Sequence, residues 1–114
     1  MPRVAIPTFQ SRVSPVFDAC TRVLLVDIRQ RREVDRAEIY LNELSLSERM
    51  RILEKSKVTI VICGGISSTL QHMLQQKKID LIPGIAGQVD EVLIAYLSQA
   101  LDHPRFQMPG VKGQ

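Results

Sequence analysis

Cys20 and Cys63 are the softest donors in this chain and the first residues to which chemistry can be assigned. As thiolates they could hold a metal; as thiols they could be small apolar core residues. They are too few and too far apart for a disulfide framework or a CxxC redox pair. Adding His72 and His103 completes no zinc-ligand spacing. His72 falls on the flank of an expected helix, and His103 precedes Pro104 at a helix end, where an imidazole suits the dipole. No Ser-His-Asp set can be assembled from these positions, so the chain reads as non-catalytic.

Three stretches carry the remaining chemistry. "SRVSPVFDAC" brings Arg12, Ser14, Phe17, Asp18 and Cys20 into one segment. "CGGISS" holds Cys63, Gly64 and Gly65, followed by Ser67 or Ser68 as a helix cap, and "PGIAGQ" holds Gly84 and Gly87. Glycine lets the main chain approach a ligand closely, and a helix amino end offers free N–H groups to an anion. "CGGISS" matches neither the GxxxxGK[ST] phosphate loop nor GxGxxG, and Gly-Gly after a strand also serves a plain tight turn. Ligand loop and structural turn both stay open at this point.

The elements that must position these residues follow from periodicity. "RVAIPT", Arg3 to Thr8, reads as a strand ended by Pro7. "RVLLVDIR" and "VDRAEIYL", joined by the polar "RQRRE", read as an antiparallel hairpin. "SLSERMRILEKSK" has Ser45 or Ser47 as cap and Leu46, Met50 and Leu53 at helical spacing. "VTIVIC" and "IDLIP" are runs of the kind buried on both faces of a parallel sheet. Between them, Ile66, Leu70, Met73 and Leu74 share one helical face. "QVDEVLIAYLSQAL" places Val89, Val92, Leu93, Tyr96, Leu97, Ala100 and Leu101 on a broad apolar stripe. The expected architecture is α/β, a mixed five-stranded sheet with an antiparallel hairpin, parallel βαβ crossovers and three helices. Residues 1–102 form the domain, and "HPRFQMPGVKGQ", 103–114, a loose tail. In such a sheet the crevice lies beyond the carboxyl ends of the strands, where the three stretches should meet.

Bulk properties narrow the classes. A chain of 114 residues makes one domain, and 45% hydrophobic with 24% charged residues is ordinary for a soluble globular protein. No apolar run is long enough for a membrane helix, and "MPRVAIPTF" lacks a signal-peptide core, so a cytoplasmic setting is expected. The net charge is +3, with positive density at Arg29 to Arg36. That cluster reads as a solvated hairpin tip rather than a nucleic-acid footprint, since it has no aromatic partners. A two-metal nuclease on a sheet of this order needs a carboxylate on its first strand, and "RVAIPT" has none.

"RVAIPTFQSRVSPVFDACTRVLLVDI", together with "CGGISSTLQHMLQQKKIDLIPGIAGQVDEVLIAYL", resembles the dinitrogenase iron-molybdenum cofactor biosynthesis family, the NifX-like domains also found at the end of NifB. The resemblance implies a ribonuclease H-like fold without nuclease activity. It also implies binding or carriage of an iron-sulfur or iron-molybdenum cluster between assembly proteins. The crevice would then be built by Arg12, Ser14, Phe17, Cys20, Cys63, Gly64, Gly65, Ser67, Gly84 and Gly87, with Cys20 and Cys63 as the metal ligands. Val16 stands where members commonly carry a loop histidine, and Val111 follows Met108-Pro109-Gly110 where relatives often carry cysteine. Two thiols then need a second subunit, as in a homodimer, or a small molecule to complete a cluster's ligand set. The alternative is a metal-free module on the same fold that binds proteins or senses a small anion.

Overall fold

The computed structural model describes residues 2–108. Strands β1 (Arg3–Phe9), β2 (Arg12–Val13), β3 (Arg22–Arg29) and β4 (Arg32–Tyr40) come first. They are followed by α1 (Leu46–Lys55), β5 (Ile60–Ile62), α2 (Ser68–Gln76), β6 (Asp80–Ile82) and α3 (Val89–Leu97), and then a short 3-10 turn, Pro104–Phe106. The strand order is β4-β3-β1-β5-β6, with β2 paired to β1. β1 runs antiparallel to β3 and parallel to β5, which is parallel to β6. The sheet therefore has six strands where five were expected. The extra strand, β2, is only two residues long, too short for any periodicity to reveal.

β1 also continues through Pro7 rather than ending there. The Pro7 carbonyl accepts from Ser14 N at 2.8 Å, so the main-chain groups of Pro7 face the β2 side. Its missing N–H costs nothing in the ladder to β3, where Pro7 lies opposite Val23.

Both faces of the sheet are covered, which is why β1 reads as an unbroken apolar run. Val4 and Ile6 join Leu24, Val26, Ile62, Val92 and Leu93 in a layer under α3. Ala5 joins Val23, Leu25, Val61, Met50, Leu53, Leu70 and Leu74 in a second layer under α1 and α2. The two edges are different. β6 is only half-buried, with Asp80 exposed, rather than buried on both faces as expected, because it has a neighbour on one side only. β4 is exposed along almost its whole length. Its run of charged residues guards that edge against pairing with other strands.

The helix caps follow local rules. Ser45 and Glu48 form a reciprocal capping box at α1. Ser67 caps α2 by accepting from Leu70 N. α3 stops at Leu97, short of the expected stripe, because the chain turns through Gln99 at φ 61; Leu101 is nonetheless buried.

The start of the expected loose tail is in fact packed. Phe106 is buried in the α3 layer, its carbonyl accepts from Ala86 N, and Met108 N donates to Gly84 O. The buried aromatic ring holds this segment against the sheet end. The rest of that segment, 109–114, with Val111, lies outside the described residues.

Candidate functional site

The three stretches singled out by their chemistry do meet at the carboxyl ends of β1, β5 and β6, and they are tied by main-chain bonds. Val13 N donates to Gly87 O, and Val89 N to Ser11 O, both at 2.9 Å. Gly65 N donates to Pro15 O at 2.7 Å, and Phe17 N to Gly65 O at 2.8 Å. Gly84 N donates to Gly64 O at 3.0 Å.

Those bonds explain the glycines. A Cβ on Gly64 would stand 2.7 Å from Ser14 O and 2.9 Å from Pro15 O, so only glycine permits this approach of one loop to another. Gly84 at φ 74 and Gly87 at φ 135 occupy backbone regions that side chains disfavour. At all three positions the close neighbour or the turn is supplied by the chain itself.

The amino end of α2, expected to receive an external anion, is held by a carboxylate of the protein. Asp18 accepts from Ser67 N at 2.9 Å and from the Ser67 hydroxyl, while Ser67 Oγ accepts from Leu70 N at 3.1 Å. This is the bond from Asp18 to turn N–H groups that an aspartate in the loop invites, and it fills the positive end of the helix dipole. The Ser14 hydroxyl is turned inward too, donating to Val16 O at 3.2 Å. Phe17 is fully buried beneath the loop.

Cys20 and Cys63 are brought into the same apolar layer. Burial pushes the Cys63 thiol up to about 12, with the charges of Asp18 and Cys20 adding to the rise. Burial likewise raises Cys20 to about 11, against the opposing pull of Arg49. Arg49 is a buried arginine that sequence reasoning missed. Its guanidinium donates to Cys20 O at 2.5 Å and to Leu44 O at 3.1 Å, and lies 3.6 Å from Cys20 Sγ. An arginine on the buried side of an amphipathic helix was the available signal. As placed, both sulfurs are neutral thiols shielded from solvent. Among the described residues no group of three His, Cys, Asp or Glu side chains could hold a metal ion. His72 is exposed on α2, and His103 caps the 3-10 turn by accepting from Arg105 N.

What stays open to solvent lies on the other side of the loops. Arg12, Val13, Pro15, Gly87 and Met108 line a groove of about 250 Å³. Arg12 is exposed there and makes no ion pair within 4.0 Å among the described residues. Met108 adds a thioether that sequence reasoning placed in a loose tail. Nearby, Phe9 is 61% and Val16 46% exposed. The Thr8 hydroxyl is buried without a hydrogen-bond partner, and Thr8 lines a smaller hollow of about 190 Å³ with Gln10 and Arg22.

The family profile described as dinitrogenase iron-molybdenum cofactor matches residues 1–99. The chain belongs to that family. No curated protein matches it. Solved structures share its fold at low identity. PH0822 superposes with a TM-score of 0.81 at 20% identity, covering 85% of this chain and 89% of that one. A candidate dinitrogenase from Methanocaldococcus jannaschii gives 0.71 at 24% identity, covering 86% and 89%. A candidate NifB protein from Thermotoga gives 0.72 at 18% identity, covering 88% and 90%. These likenesses establish a shared mixed α/β fold. The resemblance read from "SPVFD", "CGGIS" and "GQVDEVL" is therefore the correct family. Among the described residues, no helix is long and apolar enough to cross a membrane.

Proposed function

We propose that this protein is a non-catalytic binder or carrier of an iron-sulfur or iron-molybdenum type cluster, exchanged with assembly proteins in the cytoplasm. Family membership over residues 1–99 supports a role around that cofactor. The observation that carries the site is the groove beside Arg12, where the loops after β1 and β6 meet.

The residues present fit a reversibly held cargo better than a ligated one. Thiolate ligation would have to open the core layer and remove protons from two thiols that burial protects. An anionic cluster resting on the groove needs neither. Arg12 supplies charge, Met108 a soft surface, and the loop glycines close main-chain approach. In this reading the seat is displaced from the α2 end, which Asp18 occupies, toward Gly87. The strand order, an antiparallel hairpin beside a parallel pair, is consistent with a ribonuclease H-like fold kept without a first-strand carboxylate.

A second reading, the metal-free protein-binding module, is favoured by Phe9 and Val16, two apolar side chains left exposed beside the loops. Anaerobic incubation with iron and sulfide, and separately with molybdate, distinguishes the two after desalting, metal analysis and an absorption spectrum. Retained metal with charge-transfer bands, weakened in Arg12→Glu, supports the cargo reading. Bands lost instead in folded Cys20→Ser or Cys63→Ser would show that the core opens to ligate. A colourless, metal-free product leaves the interaction module.

A further inference from the structure

A larger hollow, of about 510 Å³, lies at the opposite end of the sheet from the glycine loops. Its walls follow from two chain reversals. β3 and β4 are joined by a two-residue turn in which Gln30 and Arg31 have φ values of 52 and 60. α3, running antiparallel to β1 beneath them, ends at Leu97, and the chain turns away at Gln99. The hairpin tip and the helix end thus face each other across a gap. Pro2 closes a third side, its carbonyl accepting from Ile28 N at 3.0 Å.

The chemistry of this hollow is two-sided. Ile28, buried in the α3 layer, forms the floor, with Tyr96 and Leu97 packed against the same layer. Arg29 and Arg31 stand at the lip. Neither has a carboxylate within 4.0 Å among the described residues, whereas Arg3, Arg36 and Arg105 are each paired with an acid. Among the described residues, no acidic side chain lines the hollow. An apolar floor below unneutralised guanidinium groups complements one kind of occupant: an apolar body ending in an anion that can accept two parallel N–H bonds. The volume lies within the roughly 300–1,000 Å³ of ordinary small-molecule sites. The positive lip is too small and too poor in aromatic rings for a nucleic-acid track.

We propose that this hollow binds a small organic carboxylate with an aliphatic or aromatic body. The body lies on Ile28, Tyr96 and Leu97, and the carboxylate is met by Arg29 and Arg31. The site is separate from the groove beside Arg12 and stands whether or not a cluster binds there.

Titration of the isotope-labelled full chain with phenylbutyrate, followed by amide chemical shifts, tests it. Saturable shifts confined to Ile28–Arg31 and Tyr96–Gln99 are expected. Phenylbutanol, the uncharged analogue, should bind at least about tenfold more weakly, as should phenylbutyrate to the Arg29→Glu/Arg31→Glu double variant. Both substitutions are at exposed positions, and Leu97→Asn provides an independent variant that removes apolar floor while leaving both charges. An absence of saturable shifts overturns the proposal, as does equal affinity for the neutral analogue. Shifts centred on Gly84–Gln88 would overturn it too, and would place the anion site in the groove beside Arg12 instead.

Discussion

The Asp18 carboxylate and Ser67 form the junction between the loop after β2 and the amino end of α2. Asp18 accepts from both the main-chain N–H and the hydroxyl of Ser67, and Ser67 in turn caps the helix. A negative side chain thus sits where the helix dipole is positive and where family resemblance would have put cargo. Asp18→Asn should lower the unfolding free energy by about 1–2 kcal/mol, the usual worth of a charged bond at a helix cap. Urea unfolding of the two proteins measures it, and an unchanged midpoint would show that the junction contributes nothing.

Gly64 and Gly65 separate turn from ligand loop by stability alone. The added methyl of Gly64→Ala meets two carbonyl oxygens inside 3.0 Å, whereas that of Gly65→Ala meets one at 3.0 Å. Gly64→Ala should cost about 2 kcal/mol or more, in the range of overpacked sites, and Gly65→Ala less. Thermal unfolding in the absence of any metal gives the order. The reverse order would contradict the loop contact described.

Stability should fall in alkali. The two thiols ordinarily titrate near 9.0, and in the folded chain they are raised to about 11 and about 12. Below pH 9 both states are protonated and the contribution is intact. As pH rises through the window from 9 to about 12, the unfolded chain loses thiol protons that the folded chain keeps, and unfolding becomes favoured. A denaturation series from pH 8 upward, compared with Cys20→Ala/Cys63→Ala, should show a steeper alkaline loss in the parent chain. In the native chain at neutral pH, a thiol reagent should react with either sulfur far more slowly than in urea.

Phe106 tests whether the segment after α3 belongs to the folded unit. It is buried in the α3 layer, and its ring lies about 3.5 Å from where a Cβ on Gly87 would stand. Phe106→Ala should cost about 3 kcal/mol, at the low end for a buried phenylalanine. Truncation after Leu101 should cost at least as much. A truncated chain of unchanged stability would restore the reading of a loose tail.

Much of this was legible because it is local. The hairpin, the three helices and the two parallel strands each announce themselves within about ten residues. The caps were narrowed to Ser45 or Ser47 and to Ser67 or Ser68, of which the folded chain uses Ser45 and Ser67. Asp18 could be suspected of bonding a turn, but nothing near it in sequence names Ser67 as its partner. Cys20 and Cys63 looked like ligands or core, and composition alone cannot choose between them. Phe106 and Met108 sit among prolines and glycines that read as loose chain, and only the contacts of Phe106 with Ala86 and of Met108 with Gly84 and Gly64 place them at the site.

By itself, then, the sequence determined the longer elements, their order, the family and the end of the sheet where the three loops converge, but not the two-residue β2 or the packed segment around Phe106. These depend on periodicities and on residue types with fixed backbone preferences. The tertiary structure alone decided what those loops do to one another. It put a carboxylate on the α2 terminus, sealed both thiols in the core, left Arg12 exposed beside Met108 and opened a second hollow between the hairpin tip and the end of α3. Those outcomes rest on which distant residues become neighbours, and on the solvent each side chain loses as a result. Neither is written in the spacing along the chain.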